Sequence, residues 1–400
     1  MSPSPHETRA SRNRQAVVRL LRERGTLSRA DIARATGLSR STVSGLVGEL
    51  VAGGLVIDLG TALPPAGGAA GRPGSAVMLN PATGEAIGVD FGHRHVHVII
   101  ANVTHQVRIA KSQPLAADYH PERGIDTAAS LVREAIAEAG IDPTRILGVG
   151  VSVPCPYNRD TDAAAGSDPR WAGVSVATAL SERLRLPVTV DNDAQLGALA
   201  ERLWGVGRDF DDVVYLKLHA GVGGALIIGG RLVRGATGSA GEIGHLVLDP
   251  AGPLCRCGNR GCLESFVALP RIMRGLEPGY GDHITLRDVI TMAWQGDRGC
   301  IRTLSEAGAA AGRAVAMLCN ILNPQAVVVG GALAGAGELL LGPLRDAAAK
   351  AALPLAAAAH ITVGELGPQA SALGAVALVL GQSESDRSVD GAALGAAVPS

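Results

Sequence analysis

Residues 245–264 read HLVLDPAGPLCRCGNRGCLE, which places one imidazole and three thiols within eighteen positions. The chain has six cysteines in 400 residues, and three of them, Cys255, Cys257 and Cys262, fall within eight. Thiolates and a neutral imidazole are the borderline-soft ligands that zinc selects, and four of them close a tetrahedral shell. A closed shell leaves no position for a reactive water. His245, Cys255, Cys257 and Cys262 therefore read as one structural zinc site per chain. A reduced cysteine cluster or a disulfide is the competing reading, but Cys255 and Cys257 are too close to bridge comfortably.

Outward from this stretch, composition sets the limits. The chain is 47% hydrophobic but only 2% aromatic, so its cores are built from Ala, Val, Leu and Ile. Its 53 glycines suit short strands joined by tight turns better than a helical bundle. No apolar run reaches the ~20 residues of a membrane span, and the Arg-bearing N-terminus has no apolar core of an export signal. A cytoplasmic protein without membrane partners is expected. Net charge is −1, yet residues 1–60 hold nine arginines against five acids, which leaves the remainder acidic. A basic module on an acidic body points to nucleic acid at the N-terminus only.

The first eighty residues carry that module. Val17, Leu20 and Leu21 share one face of a helix over 13–24 that ends at Gly25. Ser28 is placed to cap a second helix with Asp31 at the third position, and Gly37 is placed to end it. Ser39 caps a third helix over 40–52, with Val43, Leu46, Val47 and Leu50 inward. Helix, glycine turn, helix is the arrangement that lays a recognition helix in the major groove. Ser39, Arg40, Ser41, Thr42 and Ser44 stand at its N-terminal end, where hydroxyls and N–H groups meet phosphates and base edges. Strands over 55–59 and 75–79 flank a Pro/Gly/Ala-rich tip containing Gly71-Arg72-Pro73-Gly74. That is the wing of a winged helix-turn-helix, with Arg72 placed for a minor groove.

The body, 84–381, repeats one α/β unit. Strand 86–90, a turn at Gly92 and strand 95–101 return as strand 213–218, a turn at Gly221–Gly224 and strand 225–228. Helix 125–139 with strand 146–153 returns as helix 301–322 with strand 326–329. Two such units imply two lobes facing each other across a cleft, where backbone N–H groups of glycine turns can hold phosphate. Residues 382–400 are small and polar with no apolar period, and a disordered tail is expected there.

With these motifs the chain resembles the ROK family (repressors, open reading frames and kinases) of the actin-like sugar-kinase superfamily. The carrying motifs are Glu242-Ile-Gly-His245, the Cys255-X-Cys257-Gly258-X-X-Gly261-Cys262-X-Glu264 run, Asp191-Asn192-Asp193-Ala194 through Gly197 to Glu201, and Asn323-Pro324 leading to Val329-Gly330-Gly331. The resemblance implies a winged helix-turn-helix followed by a two-lobed α/β sugar-kinase body. It implies Asn192, Asp193, Glu242, His245 and Glu264 as sugar ligands, with His245 shared between zinc and a sugar hydroxyl. In family kinases the residue at Asp193 is the general base.

The phosphate turns depart from the family pattern. Asp-X-Gly-Gly-Thr-Lys becomes Asp90-Phe91-Gly92-His93-Arg94-His95, and Thr-Gly-X-Gly becomes Ala220-Gly221-Val222-Gly223; Gly330 and Gly331 remain. Near the sugar, Cys155 replaces a glycine, and one amide ligand is missing from the stretch 166–171. The resemblance thus implies a non-enzymatic, sugar-responsive repressor that binds operator DNA as a homodimer or homotetramer and senses a hexose or hexose derivative. Two other readings remain: a hexose kinase with an appended DNA module, using Asp193, and a body that docks a phosphotransferase protein.

Overall fold

A computed structural model describes residues 9–60, 75–117, 119–164 and 170–393. The N-terminal module consists of α1 (Arg9–Arg24), β1 (Leu27–Ser28), α2 (Arg29–Thr36), α3 (Arg40–Ala52), β2 (Val56–Asp58) and β3 (Ala76–Leu79). Its helix signals act as the sequence anticipates. The Ser28 hydroxyl accepts the Asp31 N–H while Asp31 accepts the Ser28 N–H, a reciprocal cap at the start of α2. Gly37, at φ 69°, ends α2 in the left-handed conformation that a β-carbon disfavours. Ser39 accepts the Thr42 N–H at 3.1 Å and starts α3. Two-residue β1 joins β3 and β2 in a small sheet, a pairing too short to be read from periodicity. The wing tip, with Arg72, lies outside the described residues.

The body opens with β4 (Glu85–Phe91), β5 (His95–Asn102), β6 (Val107–Pro114), α4 (Pro121–Glu138) and β7 (Ile146–Val153). A short hairpin of β8 (Tyr157–Asn158) and β9 (Ala163–Ala164) precedes α5 (Val176–Leu184) and β10 (Val188–Asn192). Helix α6 (Asp193–Trp204) then leads to the second lobe, with β11 (Val213–Leu218), β12 (Val222–Ile228) and β13 (Arg231–Val233). After the cysteine-bearing loop come α7 (Glu264–Val267), α8 (Leu269–Tyr280), α9 (Leu286–Trp294), α10 (Arg298–Leu322), β14 (Ala326–Gly330), α11 (Glu338–Ala351), β15 (His360–Val363) and α12 (Ala370–Ala393).

The two lobes share one topology. The first sheet runs β10-β7-β4-β5-β6 and the second β15-β14-β11-β12-β13. In each, three antiparallel strands are followed by two that join in parallel. The inner strands are near-continuous Val/Ile/Leu runs because both faces are covered.

Helix α12 returns from the second lobe to the first. A β-carbon at Gly88 would lie 2.1 Å from the Ala372 carbonyl oxygen, and one at Gly150 2.0 Å from that of Ala375. Glycine in β4 and β7 is what lets the helix backbone lie on the sheet. On its other side Val376, Val379 and Leu380 enter a single core with Val17, Val18, Leu20 and Leu21 of α1, Ile99 of β5 and Val103 just after it, and Ala200 and Trp204 of α6. The N-terminal module is thus packed onto the body. The helix continues past Gly381 to Ala393, where a disordered tail is expected from sequence; a helix already nucleated on the sheet propagates through polar residues without needing an apolar period. Among the described residues no helix is long and apolar enough to cross a membrane.

Candidate metal centre and interlobe cleft

The metal motif is assembled by a tight loop between β13 and α7. Backbone bonds from the Cys255 N–H to the Asn259 carbonyl (2.7 Å) and from the Leu263 N–H to the Leu246 carbonyl (2.9 Å) bring the cysteines to the histidine. The ligand atoms of His245, Cys255, Cys257 and Cys262 all lie within 4.8 Å of one another. Cys257 Sγ is 3.7 Å from Cys262 Sγ, and Cys255 Sγ is 3.7 Å from His245 Nδ1. Corners of a tetrahedron with ~2.3 Å metal–sulfur bonds are ~3.7 Å apart, so the spacing fits a four-ligand metal shell and is too long for a disulfide. Nδ1 faces the thiols, while Nε2 is turned toward Glu242, 3.9 Å from its carboxylate.

That outer nitrogen opens on a cleft of about 900 Å³ between the lobes, a volume suited to a small organic ligand. Asn192, Asp193, Glu242, His245 and Glu264, the five expected sugar ligands, all line it, as do Asp90, Gly92, Gly221, Gly223, Gly330 and Gly331 of the turns. Asn192 ends β10 and caps α6: its Oδ1 accepts the N–H groups of Ala194 and Gln195, at 2.9 and 3.2 Å. Its amide N–H₂ is left to face a ligand. The preceding Asp191 is structural, held at 2.7 Å by Arg159 and 3.0 Å by Arg234. Glu242 feels the Arg256 charge, and His245 Nε2 is 3.9 Å from its carboxylate. Burial first, then the charges of Asp193 and Glu264, push its carboxyl above the usual range.

Two of the five carry partners that the sequence reading missed. Glu264 accepts Arg256 Nε at 2.8 Å, Arg256 Nη2 at 3.1 Å and the Val222 N–H at 3.1 Å. Arg256 is the residue between Cys255 and Cys257, so the metal loop itself supplies the counter-ion. Asp193 is paired with Lys217 Nζ at 2.7 Å, and the same ammonium lies 3.0 Å from Ser371 Oγ at the start of α12. A lone lysine in the apolar run 213–218 was the signal available.

In the two glycine turns, side chains occupy the space beside the backbone. The His95 ring lies over Gly92, where a β-carbon would sit 2.2 Å from it, and its Nε2 is 3.5 Å from the Asp90 carboxylate. Asp90 is buried, which raises its pKa, but bonds from His95 and Ser152 and the Lys217 charge outweigh burial and hold it low. In the second turn His219, pushed down to about 4 by burial and then by Lys217, is a neutral ring accepting the Ala332 N–H. Gly331, at φ 84°, would place a β-carbon 2.3 Å from the Leu218 carbonyl; packing alone accounts for it. Cys155 is buried at the cleft wall. Residues 165–169, within the stretch that lacks the amide ligand, fall outside the described residues.

On the N-terminal module, Arg40, Ser41, Thr42 and Ser44 are exposed along the start of α3. Ser39 is also exposed, but its hydroxyl is engaged in the cap.

A winged DNA-binding module packed on a two-lobed, sugar-kinase-like body defines the class of protein. A family described as ROK matches residues 86–382, and one described as MarR matches residues 14–58. The chain belongs to the ROK family. It is 30% identical over 383 residues to a xylose repressor of Caldicellulosiruptor bescii, covering 92% of this chain and 95% of that one. It is 32% identical over 310 residues to a glucokinase of Thermotoga maritima, covering 73% of this chain and 96% of the kinase. A solved ROK family transcriptional regulator, a homologue of the Escherichia coli MLC protein, superposes with a TM-score of 0.77 at 23% identity, over 94% of this chain and 97% of that one. The last likeness shows that module and body occur together in one fold.

Proposed function

We propose that the protein is a sugar-responsive transcriptional repressor. Its winged module binds operator DNA through Arg40, Ser41, Thr42 and Ser44 with Ser39 as cap, and Arg72 reaches the minor groove from the wing. Its cleft binds a monosaccharide through Asn192, Asp193, Glu242, His245 and Glu264. The observation that carries the reading is the placement of α6 and α12. Asn192 and Asp193 stand at the N-terminus of α6, and Trp204 at its other end enters the core that holds α1. Ser371 bonds Lys217 and the Asp193 carbonyl, and the same helix α12 packs in that core. A ligand that closes the lobes on Asp193 therefore acts on two rods that meet the DNA module.

The metal is zinc and structural: four protein ligands fill the shell, and it orients His245 Nε2 toward the sugar and Arg256 toward Glu264. The sensed sugar is an aldose. The relative named a xylose repressor extends the expected hexose class to pentoses. Paired half-sites call for a symmetric oligomer.

The kinase reading is favoured by Asp193 at the head of α6 in the cleft and by the likeness to a glucokinase. Thermal shift of zinc-loaded protein against pentoses, hexoses, amino sugars and their phosphates, each with and without ATP, separates the two. Stabilisation by one free sugar, unchanged by ATP, supports the sensor; a shift that requires ATP, with turnover abolished in Asp193→Asn, replaces it with the kinase.

A further inference from the structure

Among the described residues, Lys217 carries the ammonium bonded to Asp193 in the cleft. It lies on β11 between Leu216 and Leu218, which point to the opposite, buried face of the sheet, and its own side chain lines the cleft. Nζ bonds Asp193 Oδ2 at 2.7 Å and Ser371 Oγ at 3.0 Å. Ser371, itself buried, donates from the same hydroxyl to the Asp193 carbonyl at 3.0 Å, which fixes that oxygen in place. Asp90 of the first lobe feels the same charge. The Asp193 carboxylate and the Ser371 hydroxyl meet at Lys217, and the Asp90 carboxylate lines the same cleft; such hard oxygen donors are the kind that take a divalent cation. Here a tethered cation is already among them. His95 blocks the adjoining space over Gly92 from the first lobe.

We infer that Lys217 is a specificity-determining residue: its ammonium is a resident counter-ion that keeps divalent metal, and with it metal–nucleotide, out of the cleft and leaves the site to uncharged sugars. The inference rests on the sensor reading for its biological sense, but not for its physics. A metal ion entering beside Asp193 meets a fixed positive charge and must displace a lysine held by two partners. A neutral sugar brings no charge, and its hydroxyls can add to the lone pairs that Asp193 keeps.

Mn²⁺ is the probe. Full-length, zinc-loaded protein is titrated with Mn²⁺ and free ion is read by electron paramagnetic resonance, for wild type, Lys217→Thr and Asp90→Asn/Lys217→Thr. The expected result is no Mn²⁺ site in the wild type. Lys217→Thr should gain one Mn²⁺ per chain with affinity raised about tenfold or more, and the double variant should lose that gain. Lys217→Met, which removes the charge and keeps the stem, is read the same way and serves if the threonine variant does not fold. Mn²⁺ binding by the wild type as tight as by either variant overturns the inference, as does a gain that Asp90→Asn leaves untouched. The titration contains no sugar, so a protein that ignores every sugar while showing this Mn²⁺ pattern sinks the sensor reading alone.

Discussion

Truncating Leu21 to alanine tests whether the DNA module and the body are mechanically one unit. Leu21 sits on α1, is 1% exposed, and belongs to the core shared with Val376 and Leu380 of α12, with Ile99 of the first sheet and with Val103 in the turn after β5. Leu21→Ala removes three carbon atoms from a packed site, a loss of about 2–5 kcal/mol including the cavity. For a chain of 400 residues melting as one unit that lowers the midpoint by about 2–6 °C. Calorimetry of the full chain should give a wild-type endotherm in which module and body melt together and which the sugar raises as a whole. Leu21→Ala should lower the whole endotherm, keep sugar affinity near wild type, and shrink the sugar's effect on operator affinity, a coupling of about 1–3 kcal/mol in such proteins. A separate low-temperature transition for the module, indifferent to sugar and alone shifted by Leu21→Ala, would refute the mechanical link.

Three further outcomes follow from the geometry. Burial and then the Arg22 charge hold His105 down to about 2, while an unfolded histidine titrates near 6.5. The unfolded chain therefore takes up the proton first, so this stability is complete above about pH 6.5 and is lost as pH falls toward 2, by at most ~1.4 kcal/mol per unit. Urea midpoints should drop from pH 7 to 5.5, and His105→Asn, which tolerates the φ of 66° and keeps an acceptor for Trp204 Nε1, should flatten the slope; an equal slope rules His105 out as its source. Cys257→Ser should lower bound zinc below one per chain and weaken sugar binding through His245 and Arg256; full zinc content by metal analysis contradicts the assigned shell. Arg40→Ala should weaken operator binding and reduce the salt slope by about one if its contact is to phosphate, and an unchanged slope with relaxed sequence preference assigns it to a base instead.

How much of this was legible depended on how far apart in sequence the partners lie. The cluster that could hold a metal was readable because its four residues span eighteen positions of one loop, and ligand chemistry needs no knowledge of the fold. The caps at Ser28 and Ser39 and the stop at Gly37 are equally local, and the structure has them where the sequence placed them. The paired lobes were legible as a repeat of strand, glycine turn and strand. The five cleft residues came by resemblance, since nothing in spacing brings Asn192 to Glu264. Lys217 shows the limit: a lysine inside an apolar strand signals a buried partner, but its partners are 24 and 154 residues away. Helix α12 was missed because its first turns are buried on the sheet, on α6 and on α1, which erases the amphipathic period, and because its polar continuation resembles a tail. Arg256 was passed over as the variable position between two cysteines, although the loop that gathers the thiols also aims it at Glu264.

The central claim is that one sugar in the cleft changes the grip of the winged module on DNA. It is tested by selecting an operator from a random duplex pool with the zinc-loaded protein, then titrating binding by fluorescence anisotropy at fixed salt with and without the sugar that gives a thermal shift. The account predicts a paired half-site whose affinity falls at least about fivefold with sugar, with no requirement for ATP, and no sugar effect in Asp193→Asn. An operator affinity unchanged by a sugar that demonstrably fills the cleft would contradict it.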